Sequence, residues 1–246
     1  MITCTSQYQT QSGAFVSKPT LFLPGTLCDE RVWLPVWRQL SIYQRRYVPL
    51  QWASSKEDML ALTSDRVLDN EKVHLVGFSM GGYMAATWAT QNQTKVASLT
   101  MIGASPYGLT AEEEKRRGQL VTMLKKGSFQ PDKAAYVSRF VHPSHQNTPD
   151  VAGVVREMGK DLGAATLLAH TNATTPRPAI IDKLKTCTFP VNIIAAEDDE
   201  LVPFSSLQQA ADEIPSSHLI TVKGAGHMCL LEQPDTLAQS IQAICG

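Results

Sequence analysis

The chain has no charge excess of either sign. Its 22 Lys and Arg balance 23 Asp and Glu to a net charge of −1 over 246 residues. No global field therefore favours nucleic acid or an acidic membrane surface. It has no apolar run near the ~20 residues that a membrane span needs. The opening Met1-Ile2-Thr3-Cys4-Thr5-Ser6-Gln7 has neither a basic region nor an apolar stretch, so a secretory signal is not expected. The five cysteines (Cys4, Cys28, Cys187, Cys229, Cys245) are odd in number, scattered, and never spaced C-x-x-C. That pattern argues against a disulfide framework and a zinc site, and makes the reduced cytoplasm the expected setting. Internal repeats, low-complexity tracts and an interdomain linker are also missing.

What is present is an ordinary globular composition, 43% apolar and 18% charged, enough for a sizeable core. The most informative stretch is Gly77-Phe78-Ser79-Met80-Gly81-Gly82. Before it, Lys72-Val73-His74-Leu75-Val76 reads as a buried strand; after it, Tyr83 to Thr90 reads as an alanine-rich helix. A serine at a sharp strand-to-helix corner in G-x-S-x-G spacing is a nucleophile elbow. The corner strains the serine backbone and brings strand and helix so close that the flanking positions need glycine. The N–H of Met80 falls at the helix N-terminus, where donors lack intrahelical partners and negative charge is favoured, so it can hold an oxyanion.

Around this turn, apolar runs alternate with helical patterns. Strands are expected at Thr20–Leu23, Arg46–Leu50, Val96–Gly103, Val191–Ala196 and His218–Val222. Helical spacing covers 32–40, a stretch capped by Ser54 or Ser55, the stretch after Pro203, and the C-terminus with Leu237, Ile241 and Ile244. Residues 1–18 are polar, compatible with a short hairpin, and carry no assigned chemistry. The alternation predicts an α/β fold: a mostly parallel twisted sheet with helices on both faces. The exception is 107–186, which reads as helices, one of them from about Thr148 to His170, with Pro143, Pro149, Pro176 and Pro178 punctuating the spaces between them. Residues 1–106 and 187–246 are therefore expected to form the core, and 107–186 a helical cap.

In parallel sheets ligands bind beyond the carboxyl ends of the strands. Ser79, the Glu197-Asp198-Asp199-Glu200 loop, His227 and the Pro24-Gly25-Thr26 loop all follow expected strands, so all four reach one rim. His227 lies in Gly224-Ala225-Gly226-His227-Met228 and is the candidate base for Ser79. His74, His142, His145, His170 and His218 are expected to be surface or satisfied core residues. Cys28 and Cys229 are expected to be structural or pocket-lining rather than catalytic.

The order serine, acid, histidine is the order of the α/β-hydrolases. The chain resembles that superfamily over nearly its whole length, and within it the small capped carboxylesterase-like serine hydrolases. The elbow, the segment Ala196 to Pro203, and Gly226-His227-Met228 with Glu232-Gln233-Pro234 carry the resemblance. The family's acid lies four residues before a proline, which selects Asp199 over the adjacent Asp198. The family's second oxyanion donor follows a glycine in the loop after the first strand; here that residue is Thr26, with Leu27 as the alternative. Where the family often has His-Gly, this chain has Pro24-Gly25. Leu27, Phe78, Phe140, Leu167 and Met228 are the candidate acyl-pocket residues.

The resemblance implies a small-molecule ester substrate, an acyl-enzyme intermediate, and neither cofactor nor metal. The same triad would also serve a lactone hydrolase, a carrier-protein methyl ester esterase, a menaquinone-pathway-type lyase or a slow-turnover ligand receptor. Residues 107–186 hold 12 Lys and Arg against 8 Asp and Glu, a net of +4. Such a cap would suit an anionic substrate or an acidic carrier protein, although such charge more often forms only a solvated face.

Overall fold

The computed structural model describes residues 18–245. The expected hairpin in residues 1–18, and Cys4, lie almost wholly outside the described residues. Six strands form one sheet: β1 (Thr20–Leu23), β2 (Arg45–Tyr47), β3 (Val73–Phe78), β4 (Val96–Ile102), β5 (Val191–Ala196) and β6 (Ser217–Val222). Their order is β2-β1-β3-β4-β5-β6 and every pairing is parallel. β1, β3 and β5 are buried at every position, which is why they read as continuous apolar runs without alternation.

The period-2 pleat nevertheless divides each strand between two cores. Leu21, Leu75, Met101 and Ile193 face one side, under α2 (Lys56–Ser64), α3 (Met80–Gln91), α7 (Ile181–Lys185) and α8 (Phe204–Glu213). Phe22, Val76, Ile102 and Ile194 face the other, under α1 (Leu34–Trp37), α9 (Cys229–Glu232) and α10 (Pro234–Cys245).

The expected helix over 32–40 is broken into a 3-10 turn at Glu30–Val32 and the single turn of α1. Asp29 caps the first turn by accepting from the Arg31 N–H, and Pro35 has no N–H to continue a ladder across Trp33. Aromatic contact holds the pieces: Phe22 lies 5.1 Å from Trp33 and 5.4 Å from Trp37, edge to face in both cases. Of the two candidate caps for α2, Ser55 closes a capping box with Asp58.

Between β4 and β5 the chain is helical: α4 (Ala111–Lys125), α5 (Ala134–Val137), α6 (Val154–Ala173) and α7. Thr110 and Glu113 form the capping box of α4. The expected helix from Thr148 starts later, after a wide turn at Pro149–Gly153, and α6 is interrupted at Gly163, whose φ is +72°. Arg31, behind the β1 loop, reaches α6 through an ion pair with Asp161 at 2.7 Å.

Candidate active site

Ser79 sits between β3 and α3 with φ +51° and ψ −116°, a left-handed conformation that a non-glycine residue adopts only under constraint. Its N–H donates to the Ile102 carbonyl at 2.8 Å, so the β3–β4 ladder runs into the turn. The glycines beside it answer to crowding. A Cβ at Gly77 would collide with the Gly81 carbonyl, and one at Gly81 with the carbonyls of Leu23 and Pro24. The strand before the turn and the loop after β1 are thus pressed against the first turn of α3.

The Ser79 hydroxyl lies 2.9 Å from His227 Nε2, and His227 Nδ1 lies 2.8 Å from Asp199 Oδ2. A carboxylate only accepts, so Nδ1 carries the proton and Nε2 turns its lone pair to the hydroxyl. The other oxygen of Asp199 accepts from the N–H groups of Leu201 at 2.8 Å and Val202 at 3.0 Å. Burial raises the proton affinity of Asp199, but the positive charge that His227 carries when protonated, its hydrogen bond and those from Leu201 and Val202 outweigh it and hold the carboxyl below its usual range. The neighbouring Asp198 faces out: its side chain is 51% exposed and lies 3.7 Å from His142 Nε2.

Thr26 and Met80 have no partner for their N–H groups among the described residues, and Met80 opens α3. Leu27, the alternative donor, has its N–H engaged by His170 Nδ1 at 3.1 Å. Gly25 lays the loop on the elbow: a Cβ there would stand 2.9 Å from the Phe78 ring and 3.3 Å from Ser79 Cβ. The rings of Phe78 and Phe140 lie 5.1 and 6.1 Å from that of His227. Leu27 and Leu167 are buried together with Leu124. Met228 is buried, and its N–H donates to the Phe140 carbonyl at 3.0 Å. A cleft of about 50 Å³ beside His227 is bounded by Phe140, His142, Asp198 and Glu200.

Two residues of this neighbourhood had no role assigned from the sequence. Glu232 is buried in α9, and its two oxygens accept from the N–H groups of Gly226 at 2.6 Å and His142 at 2.7 Å. It ties the histidine loop to the helical segment. Its place two residues before Pro234 was visible, but its partners are remote in sequence. The other is His170, fully buried.

Cys28 and Cys229, the two cysteines near this neighbourhood, are buried thiols. Burial, with Asp29 nearby, pushes the Cys28 thiol up to about 12, and burial, with Asp199 and Glu232 nearby, pushes Cys229 further up. Among the described residues no group of three His, Cys, Asp or Glu side chains could hold a metal ion, and no helix is long and apolar enough to cross a membrane.

Residues 55–234 match the model of the alpha/beta hydrolase fold family. The chain belongs to that family. This α/β-hydrolase is 27% identical over 184 residues to monoacylglycerol lipase abhd6-A of Xenopus laevis, a match spanning 68% of this chain and about half (52%) of the frog protein. It is 25% identical over 172 residues, 68% of each chain, to a pimeloyl-[acyl-carrier protein] methyl ester esterase of Xanthomonas campestris. Among solved structures, a thermophilic esterase from Thermogutta terrifontis superposes with a TM-score of 0.81 at 21% identity, over 95% of this chain and 91% of that one. An esterase from Exiguobacterium antarcticum gives 0.78 at 17% identity, over 95% and 93%.

Proposed function

We propose that this α/β-hydrolase is a serine esterase that cleaves a carboxylic ester of a small or medium acyl group. The observation that carries the reading is the unbroken hydrogen-bond chain from Ser79 through His227 to the buried Asp199. Ser79 Oγ attacks the ester carbonyl while His227 Nε2 takes its proton, and Asp199 stabilises the resulting imidazolium. The amides of Met80 and Thr26 hold the oxyanion. His227 then returns the proton to the departing alkoxide oxygen, leaving an acyl-enzyme. Water, deprotonated by the same imidazole, attacks the acyl carbon and releases the acid and the Ser79 hydroxyl. Residues 107–186 act as the cap, with Phe140 and Leu167 on its acyl side. The relatives and neighbours named esterases and lipase support ester chemistry.

A second reading, a methyl ester esterase acting on an acidic carrier protein, is favoured by the net charge of +4 on 107–186 and by the name of the Xanthomonas relative. The charge argument is diluted where Arg116, Lys160 and Lys185 pair with Glu112, Glu157 and Glu213.

The test is turnover of p-nitrophenyl esters of increasing acyl length, with fluorophosphonate labelling and Ser79→Ala as controls. Labelling with turnover that Ser79→Ala abolishes supports the esterase, and the optimum length sizes the pocket. Labelling without turnover shifts the reading to a lyase or a receptor. Absence of labelling sinks the activated serine.

A further inference from the structure

We infer that His170 is the positioning residue of the oxyanion loop, acting through Leu27 and never on the substrate. The inference rests on the assignment of the Thr26 amide as an oxyanion donor.

His170 lies near the end of α6, 143 residues from Leu27 in sequence, and is completely buried. Its ring joins three segments. Nδ1 accepts from the Leu27 N–H at 3.1 Å, and Nε2 donates to the Leu50 carbonyl at 2.9 Å. An N–H needs a lone pair and a carbonyl needs a proton, so these partners select one species: the neutral ring protonated at Nε2. Burial lowers its proton affinity and favours that species.

The bond to Leu27 falls at the weakest point of the loop. Gly25 to Cys28 is a tight turn, closed by the Cys28 N–H donating to the Gly25 carbonyl at 3.2 Å. Leu27 occupies its third position with φ +53°, where glycine or asparagine is usual and a leucine is strained. The hydrogen bond to His170 holds the leucine there. The peptide planes on either side of the Thr26 Cα carry the N–H groups of Thr26 and Leu27, so a Leu27 that relaxes re-aims the Thr26 N–H. Gly25, seated on Phe78 and Ser79, anchors the other end. A histidine from the helical segment thus reaches this loop, so cap and oxyanion hole are built as one piece.

Two substitutions separate the two bonds. His170→Asn places an amide oxygen near the Nδ1 position, keeping the acceptor for Leu27 and losing the Leu50 contact. His170→Gln places an amide nitrogen near Nε2, keeping Leu50 and losing Leu27. Steady-state kinetics on a p-nitrophenyl ester, with thermal melts, read the difference. His170→Gln is expected to lower kcat at least ~10-fold, toward the ~10²–10³ of a lost oxyanion donor, with KM unchanged. His170→Asn is expected to keep most of kcat at a comparable Tm.

Wild-type kcat in His170→Gln overturns the inference, as does an equal loss of kcat in both variants. A wild-type protein that neither labels with fluorophosphonate nor turns over esters overturns the esterase reading, and the inference with it. If neither variant folds, amide hydrogen exchange on the wild type decides. A Leu27 N–H as slow as the core of α6 supports the tie, and one as fast as an exposed loop amide overturns it.

Discussion

His227 Nδ1 lies 2.8 Å from an Asp199 oxygen whose side chain is 1% exposed, while the adjacent Asp198 side chain is 51% exposed. A carboxylate sheltered from water stabilises a buried imidazolium far better than one screened by it. Asp199→Asn is therefore expected to lower kcat by about 10⁴, and Asp198→Asn to leave it nearly unchanged. Kinetics of the two variants on one activated ester check this; the reverse ranking would assign the acid to Asp198.

Ser79→Ala removes the attacking atom and leaves the backbone contacts of the elbow in place. Turnover should fall by about 10⁴ or more, and fluorophosphonate labelling should vanish. The far-UV spectrum should not change. A variant that still labels would mean that another nucleophile reacts.

Gly81 and Gly118 are both helical glycines with opposite surroundings. A Cβ at Gly81 meets the carbonyls of Leu23 and Pro24, whereas one at Gly118 meets nothing within 4 Å. Gly81→Ala should yield unfolded or inactive protein, because backbone must shift. Gly118→Ala should stabilise α4 by about 0.5–1 kcal/mol through helix propensity alone. Thermal melts of both variants test the contrast.

Glu232→Ala would strip the acceptor from the N–H groups of Gly226 and His142, at about 1–3 kcal/mol for each amide left unsatisfied. The histidine loop loses its hold on the helical segment, so kcat should fall along with Tm. Glu232→Gln retains one amide oxygen and should lose less of both. An unchanged kcat in Glu232→Ala would show that His227 is positioned without the clamp.

His74 lies in the sheet with its Nδ1 2.7 Å from Ser98 Oγ, and burial, with Lys18 nearby, lowers its pKa to about 4. The unfolded chain therefore takes up this proton first, near pH 6.5. Stability is fully present above that pH and declines as pH falls towards about 4. The loss amounts to at most about 3 kcal/mol, from the linkage of pKa to stability. Urea melts from pH 7 to pH 4 should show the slope in the wild type and a shallower one in His74→Asn. Equal slopes would mean that other groups dominate.

Much of the fold was legible because its signals are local. β3 is apolar at nearly every position since helices cover both faces of the sheet, and Gly77 and Gly81 mark the turn because a Cβ there has no room. Expectation and structure parted where packing overrides pattern. Trp33 and Trp37 stay at helical spacing, yet the aromatic contacts with Phe22 are reached by two short turns instead of a single helix. The Thr148–His170 stretch likewise carries one helical pattern, but a wide turn and the left-handed Gly163 divide it.

The sequence by itself determined the α/β architecture, the elbow at Ser79 and the order of serine, acid and histidine along one rim. Each follows from residue type and spacing inside short segments and from the order of those segments along the chain. The spacing before Pro203 already favours Asp199 over Asp198, but only the tertiary structure decided that Glu232 clamps Gly226 and that a core histidine of α6 holds Leu27 in a left-handed turn. Those pairings are hydrogen bonds between groups as many as 143 residues apart, whose partners are chosen by burial and direction in space.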